Sequence, residues 1–574
     1  MKIPKLFPFA CVALMMTACA SDKEEMGGGT RPGSDPRYLA VNIVNVGATP
    51  TTRATNDYEN GTTDESTIKK VRFYFFNGDG SPYLIKNPGV AGVEGGENKN
   101  WLEASPADDS STSGTPSQIE KITQTVLVIN GVQSAAPAAI VAVVNPGTVD
   151  AATLKNGEKM RLSELRYSAV GSQFYKKDPT TGAVSDFVMS NSVYVNAGED
   201  VCASLVAGHV TTSAESAKAK PVDLYVERVV AKVTADVDKT AFELGNGTNW
   251  DAQKYGTKDP VGKSGDYNVY AVIEGWGLAN ENGKAEVEKQ VNKTWTDGIL
   301  GFSPWTTADY HRCFWESSVA FDAGAGGNQP VNPKFNQLKA KMQDVLYTLP
   351  NTSENEVTNL KDNDLTKFAV AATLRYKDAA GNWHDAEICR YNGVSILGID
   401  NLKRQVALTF SQYYTSTDAT NYTQLSKDDI DFKNPDGTMQ QYRVTPTLAN
   451  DPAGTKKYYT KNTTGTTPTF TEVDKATVLA AIEADKAEIR LGGRAYYYVP
   501  IKHLGSANKI AEYGIVRNHF YKITLSGITG FGTPVYDPEK VVDPIVPTYE
   551  NTYLAARVQV LQWRVVNQNA SLGN

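Results

Sequence analysis

Apolar and polar residues alternate along most of this chain, and a period of two is typical of β-strands with one buried face. The first alternating segment covers residues 38–46, where Leu39, Val41 and Ile43 share one face. The same alternation predicts further strands over residues 68–76 and 224–237, and short apolar runs predict strands over 124–129 and 139–144. A second β-rich half follows, with strands expected over residues 266–275, 368–376, 405–413, 495–501 and 519–525. The pattern therefore predicts a protein built mainly of strands, in two β-rich halves of similar character.

Helical periodicity is confined to short segments. Residues 163–165 suit a short helix, and residues 474–486 carry Val478, Leu479 and Ile482 as one apolar stripe. This second helix lies in an apparent insertion over residues 448–490, whose first part is rich in Thr, Lys and Gly. We therefore expect the helices to be additions to a framework of β-sheets.

The C-terminal segment combines a proline-rich stretch with a final strand. Residues 532–553 contain four prolines, which suppress both helix and ladder pairing and predict an extended linker. In residues 554–566, Val558 and Val560 lie on one face of a strand, and the other face carries Leu561, Trp563 and Val565. Because an isolated strand is not stable alone, it must pair with the sheet of this molecule or of a neighbour.

The N-terminus reads as a secretion signal. Lys2 and Lys5 precede a mostly apolar run over residues 6–16, which is too short to span a bilayer and has the length of a signal-peptide core. The run ends at Thr17-Ala18-Cys19, which resembles the lipobox of a bacterial lipoprotein with Cys19 as the lipidated residue. The alternative is an ordinary signal peptide cut after an Ala, with the Cys incidental.

Composition narrows the class of protein. A chain of 574 residues is too long for one core, so two or more domains are expected. Its 57 Lys and Arg against 64 Asp and Glu give a net charge of −7, which argues against a nucleic-acid binder. The 47 Gly and 27 Pro favour a turn-rich β protein.

Residues for metal or nucleophilic chemistry are scarce. The chain has five His and five Cys, and their spacing fits neither a zinc site nor a disulfide framework. We expect Cys202, Cys313 and Cys389 to be buried free thiols. No catalytic motif of a known type occurs, so the sequence predicts a protein that is not an enzyme and needs neither a cofactor nor a metal.

Several segments together resemble the fimbrillins, the type V pilin subunits of Bacteroidales, and the length suits the subunits that form the shaft of short fimbriae. The segments are the lipobox at Cys19, the Arg53-Ala54 pair after the first strand, DFVMSN at 186–191, VERVVAKV at 226–233, YYVPI at 497–501, YGIVRNHFY at 513–521 and the terminal strand with Trp563. Their order along the chain is more specific than any one of them.

The resemblance implies an all-β fold of two transthyretin-like β-sandwich domains, with short helical insertions, completed by strand exchange. It implies a signal peptide over residues 1–19, a propeptide over 20–53, domains over 54–238 and 239–532, and a linker with a donor strand over 533–574. A precursor of this kind crosses the periplasm, becomes an outer-membrane lipoprotein and ends in a cell-surface fimbrium.

The resemblance also implies how the subunit assembles. An Arg-specific, trypsin-like protease would cut between Arg53 and Ala54 and release the first strand with Leu39, Val41 and Ile43. The groove left behind would accept a donor strand containing Val558, Val560, Leu561, Trp563 and Val565 from another copy. Arg31 and Arg37 are rival cleavage sites, but a cut at either would leave residues 38–46 in place.

The expected partners are identical subunits in a head-to-tail polymer, anchor and tip fimbrial subunits, the protease, and host or bacterial surface ligands that support adhesion and biofilm formation. Possession of both a cleavable loop and a donor tail points to a shaft subunit. The alternative hypothesis is a surface lipoprotein that does not polymerise and binds glycans or host proteins, with its Tyr side chains as stacking platforms.

Overall fold

The computed structural model describes most of the chain in separate ranges. They are residues 37–45, 61–86, 98–105, 107–108, 122–129, 131–132, 135–148, 154, 159–171, 174–238, 243–244, 255–256, 262–264, 267–295, 306–307, 311–322, 324, 326–354, 365–433, 443–503, 510–542, 553–561 and 565–567. Within them no helix is long and apolar enough to cross a membrane.

Strands dominate these ranges, as the alternating pattern predicts. The first group is β1 Arg37–Asn45, β2 Val71–Phe76, β3 Trp101–Ala104, β4 Ala107–Asp108, β5 Ile122–Ile129, β6 Ala139–Val144, β7 Ala169–Gly171, β8 Lys176–Lys177, β9 Val184–Ser185, β10 Met189–Asn191, β11 Tyr194–Asn196, β12 Glu199–Val201, β13 Ser204–Leu205 and β14 Val222–Arg228. The second group is β15 Ala231–Val237, β16 Glu243–Leu244, β17 Tyr255–Gly256, β18 Gly262–Ser264, β19 Tyr267–Ala279, β20 Lys284–Glu286, β21 Thr306–Thr307, β22 Arg312–Cys313, β23 Val345–Thr348, β24 Lys367–Lys377 and β25 Trp383–Asp385.

The C-terminal third continues in the same way. Its strands are β26 Ile388–Tyr391, β27 Val394–Leu397, β28 Tyr413–Ser416, β29 Thr423–Gln424, β30 Ile430–Lys433, β31 Arg443–Leu448, β32 Lys457–Asn462, β33 Thr469–Val473, β34 Ala487–Ile489, β35 Arg494–Pro500, β36 Phe520–Thr529, β37 Thr533–Pro534, β38 Tyr553–Leu561 and β39 Val565–Asn567. The prediction of an all-β fold is confirmed.

The helices in the described ranges are short. They are α1 Thr63–Ser66, α2 Leu162–Arg166, α3 Ala214–Lys218, α4 Ile399–Thr409 and α5 Lys475–Glu483. Helix α5 begins where the sequence predicts, because the Asp474 side chain accepts a hydrogen bond from the Ala476 backbone N–H and so caps the first turn. Val478 and Ile482 of its apolar stripe are buried.

The N-terminal part is a nine-stranded sheet around one core. Its spatial order is β3-β2-β6-β10-β14-β1-β5-β4, with β13 beside β6. Strand β1 lies inside this sheet, with β14 hydrogen-bonded on one side and β5 on the other. Strands β2 and β6 are buried along their whole length, on both faces.

The C-terminal part is a pair of sheets that share a second core. One sheet has the order β23-β15-β36-β38-β39, and the other has the order β16-β17-β19-β24-β35-β37 with β18 and β25 attached. Apolar residues of both sheets, such as Val233 and Tyr521 from the first and Phe368 and Tyr497 from the second, belong to one buried cluster. The two sheets therefore enclose one core between them.

A third core is formed by the chain segment that connects two paired strands of the C-terminal part. Strands β24 and β35 pair directly, yet the chain between them forms the sheets β27-β26-β34-β31-β30 and β29-β28-β32-β33 and helices α4 and α5. These elements bury their own cluster, which includes Tyr391, Val406 and Ile482. The predicted insertion at 448–490 is thus part of a larger additional unit that begins near residue 388.

Three local predictions differ from the structure. Residues 405–413, predicted as a strand, lie mainly in α4, because Leu402 and Val406 are spaced for one helical face and both are buried. The long strand predicted over 224–237 is two strands, since the chain leaves one sheet after Arg228 and enters another at Ala231. The predicted linker begins as packed chain, in which β37 pairs with β35 and Val542 is buried.

Candidate assembly site

The first predicted site feature, β1, occupies a slot in the N-terminal sheet. It runs parallel to β14, with Val41 opposite Val222, and antiparallel to β5, with Leu39 opposite Leu127. Its side chains Leu39, Val41 and Ile43 have no exposed surface and belong to the N-terminal core. The predicted shared face of these three residues is therefore confirmed.

The other face of β1 is fixed by polar contacts and by close packing. The Asn42 side-chain amide donates to Oδ1 of Asp223 on β14 over 2.9 Å. Tyr38 exchanges backbone hydrogen bonds with Thr211, at 2.8 and 2.9 Å. Ala40 has no exposed surface, and helix α3 lies against the strand. This face therefore favours a small residue at Ala40 and a hydrogen-bond donor at Asn42.

The last long strand, β38, lies in the C-terminal sandwich of its own chain. It pairs antiparallel with β36, with Val558 opposite Ile523 and Val560 opposite Tyr521. A register shift between Leu525 and Gly527 interrupts the ladder. The strand predicted at the C-terminus thus exists, and its backbone is hydrogen-bonded within the subunit.

The slot and the C-terminal strand are linked by adjacent strands. The slot wall β14 continues through Val229 and Val230 into β15, and β15 runs parallel to β36, the partner of β38. Both linking valines are buried. The motif at 226–233 therefore forms the crossing between the two sheets.

Buried ion pairs hold the segments around this crossing together. Lys289 Nζ lies 2.6 Å from Glu227 Oε2, and both side chains are 1 % exposed. Arg517 Nε lies 2.8 Å from Glu316 Oε2, again with both side chains buried. Arg228 donates from Nη1 to the Asn518 side-chain oxygen over 3.2 Å. Two of the resemblance motifs, at 226–233 and 513–521, thus meet in the interior.

Buried histidines and a tyrosine complete this interior network. His503 Nε2 lies 2.9 Å from the Phe314 carbonyl oxygen, and its Nδ1 lies 2.9 Å from the Tyr521 hydroxyl. Burial lowers the pKa of His503 to about 3 and holds that of His519 well below its usual value. Both imidazoles are therefore neutral at physiological pH and act as hydrogen-bonding groups of the core.

The three cysteines match their sequence interpretation. Cys202, Cys313 and Cys389 are free and buried. Burial raises the pKa of each thiol to about 12, which removes the thiolate at neutral pH. Among the described residues no group of three or more His, Cys, Asp or Glu side chains is placed to hold a metal ion.

Several predicted site residues lie outside the described ranges. They are Cys19, Arg53, Ala54 and Trp563. Val558, Val560 and Leu561 lie in β38, and Val565 begins β39. The rival cleavage residue Arg37 is the first residue of β1 and lies opposite Ile129 in the ladder.

Sequence reasoning missed the polar contact between Asn42 and Asp223 and the buried ion pairs. The sequence does carry a signal for the contact between Asn42 and Asp223, because Asn42 is the single polar residue in the apolar segment 39–43. No such signal marks the ion pairs, whose members are as much as 201 residues apart.

Comparison with known proteins bears on the C-terminal part. Residues 491–569 match the family described as major fimbrial subunit protein type IV, fimbrillin, C-terminal. The matched region contains β35 to β39, and with them the motifs at 497–501 and 513–521 and the terminal strand. The resemblance stated from the sequence is thus confirmed for this region. No curated protein matches the chain.

Solved structures also resemble the chain over most of its length. One is a proposed cell adhesion protein from Parabacteroides distasonis, with 13 % identity, 93 % of this chain and 98 % of that chain covered, and a TM-score of 0.33. Another is the tip fimbrial protein Mfa3 from Porphyromonas gingivalis with C-terminal truncation, with 10 % identity, coverage of 92 % and 100 %, and a TM-score of 0.29. At these values the likeness carries no inference about function.

Proposed function

We propose that this protein is a structural shaft subunit of a surface fimbria, and that it polymerises when a protease removes its first strand. The observation that carries the proposal is the place of β1 inside the N-terminal sheet, between β14 and β5. Loss of an inner strand leaves two rows of unpaired backbone groups beside an apolar trough, which is a strong site for strand addition.

The buried side chains give the size of the effect. Leu39, Val41 and Ile43 are fully buried, and each such side chain is worth about 1.5–3 kcal/mol. A strand that replaces all three recovers about 5–9 kcal/mol before its ordering cost, together with the ladder hydrogen bonds. A head-to-tail contact of this kind repeats into a filament.

The proposed activation needs a cut on the C-terminal side of β1. Arg53 follows the strand, whereas Arg31 precedes it and Arg37 is its first residue. A cut at Arg37 leaves Leu39, Val41 and Ile43 connected to the domain. In the proposal, Cys19 anchors the precursor in the outer membrane as a lipoprotein, and an Arg-specific protease cuts between Arg53 and Ala54.

The test is limited trypsin digestion of the purified full chain, followed by electrophoresis in cold SDS. We expect a ladder of oligomers whose subunits begin at Ala54. Arg53→Ala abolishes the ladder, and the matched control Arg37→Ala leaves it unchanged. Normal polymerisation of Arg53→Ala would refute the activation scheme.

Deletion of residues 554–574 tests the donor. In the proposal the donor strand lies within this segment, where Val558, Val560, Leu561, Trp563 and Val565 are its apolar residues. The truncated subunit is expected to be cut at Arg53 and to remain monomeric. If it still forms the ladder, the donor lies elsewhere in the chain.

A further inference from the structure

The first strand and the C-terminal strand carry related sequences. Strand β1 and strand β38 have nine residues each. Tyr38-Leu39-Ala40 near the start of β1 is repeated as Tyr553-Leu554-Ala555 at the start of β38. Resting on the proposed function, we infer that β38 of a second copy enters the slot in the register that puts Tyr553 where Tyr38 was, and that Asp223 fixes this register by binding Arg557.

The core-facing positions agree with this register. Leu554, Ala556 and Val558 take the places of Leu39, Val41 and Ile43. All three incoming side chains are apolar, and none is larger than the side chain that it replaces, so the core accepts them without overpacking. The trough is therefore refilled by a strand of the same alternation.

The opposite face discriminates more strongly. Ala40 has no exposed surface, and helix α3 contacts its strand, so this place accepts only a small side chain. The register puts Ala555 there. Two positions along the strand, Arg557 takes the place of Asn42, whose amide donates to the Asp223 carboxylate over 2.9 Å. A guanidinium at this position replaces the hydrogen bond between amide and carboxylate by a contact between opposite charges.

Neighbouring registers fail for separate reasons. A shift by one residue turns Leu554, Ala556 and Val558 away from the core and puts Arg557 into it. A shift by two keeps the alternation but puts either Tyr553 or Arg557 at the buried place of Ala40. Use of the segment that begins at Leu561 puts Gln562 there. Alternation alone thus excludes the odd shifts, and the places of Ala40 and Asn42 exclude the even ones.

Disulfide trapping between two copies tests the register directly. Asn42 and Asp223 are opposite residues of neighbouring strands, and such positions lie within the Cα separation that a disulfide spans. The native thiols do not compete, because Cys202, Cys313 and Cys389 are buried. Trypsin-activated Asp223→Cys subunits are mixed with Arg557→Cys subunits and oxidised, and non-reducing electrophoresis after boiling follows the dimer.

The expected result is a covalent dimer from Asp223→Cys with Arg557→Cys. The control donors Ala555→Cys and Gln559→Cys, two residues to either side, give at most a tenth as much. Equal trapping by a control donor, or no trapping while the unsubstituted subunits polymerise, overturns the register and leaves the proposed function standing. If the unsubstituted subunits do not polymerise, the proposed function fails and this inference with it.

Charge reversal gives an independent readout on the full chain. Arg557→Glu is expected to lower the yield of cold-SDS oligomers about threefold, because two carboxylates then face each other at an exposed position, where solvent screens their repulsion. Adding Asp223→Arg to the same chain restores the yield. Absence of rescue, with trypsin cleavage and the thermal transition of each precursor unchanged, overturns the role of Asp223.

Discussion

Replacement of Arg517 by Met is expected to destabilise the subunit severely. Arg517 lies in the motif at 513–521 and is 1 % exposed. Its Nε donates to Glu316 Oε2 over 2.8 Å, and its Nη1 and Nη2 donate to the carbonyl oxygens of Val287 and Glu286 over 3.0 and 3.1 Å. One side chain therefore ties together three segments that are distant in sequence.

The magnitude follows from what the substitution leaves behind. Without the guanidinium, the fully buried Glu316 carboxylate keeps one hydrogen bond from the 513–521 motif, which the backbone N–H of residue 517 donates over 2.6 Å. Breaking a buried pair by removing one partner costs about 3–5 kcal/mol. The double variant Glu316→Gln with Arg517→Met removes the stranded charge, so we expect it to be more stable than Arg517→Met alone.

Urea unfolding followed by Trp fluorescence measures both variants, since the buried Trp315 adjoins Glu316 in the chain. The exposed pair of Lys293 and Glu199 provides the control, and Lys293→Met is expected to leave the transition unchanged. The reasoning is refuted if Arg517→Met costs less than about 1 kcal/mol, or if the double variant is less stable than the single one.

Three further predictions follow from buried or crowded positions. Burial raises the pKa of Glu288 to about 8, so the folded state holds a proton that the unfolded state releases near pH 4.5. Stability therefore falls as pH rises from about 5 to 8. The variant Glu288→Gln is expected to flatten the pH dependence of the thermal midpoint across that window. Burial raises the pKa of Cys313 to about 12, so its thiol reacts with a disulfide reagent at pH 8 only after urea is added. A Cβ at Gly275 would lie 2.5 Å from the Leu338 carbonyl oxygen, so Gly275→Ala costs about 1–3 kcal/mol in urea unfolding, whereas Gly147→Ala meets no atom within 4 Å and is tolerated.

Each of these has a clear contrary outcome. A thermal midpoint of Glu288→Gln that falls with pH as steeply as that of the unsubstituted protein would place the proton elsewhere. Thiol reactivity in the folded protein at pH 8 would show that Cys313 is accessible. Equal effects of Gly275→Ala and Gly147→Ala would contradict the close approach of Leu338.

The sequence predicted single strands better than their partners. Alternation located β1 to within one residue at each end, because a half-buried strand has a period that one sequence displays. The parallel pairing of Val41 with Val222 has no local signature, since it joins strands separated by most of the N-terminal part. The slot was therefore predicted from the resemblance and located from the structure.

Mixed periodicity explains why residues 405–413 were predicted as a strand although most of them lie in helix α4. Val406, Leu408 and Phe410 alternate like a strand, but Ile399, Leu402 and Val406 also follow a helical face. Burial of Leu402 and Val406 in the third core decides for α4, and Leu408 is left exposed. A pattern of only a few residues does not separate the two periods when tertiary packing supplies the deciding energy.

The direct passage from β14 into β15 has a mechanical consequence for the proposed fimbria. Tension along the proposed filament would enter a subunit through the donor strand held beside β14 and leave through the chain that follows β36, because β38 then lies in the slot of the next subunit. Between them the force crosses the peptide bonds of Val229 and Val230 and then the parallel ladder of β15 and β36. The ladders are loaded along their strands, so many hydrogen bonds resist together, and the third unit between β24 and β35 lies off this line.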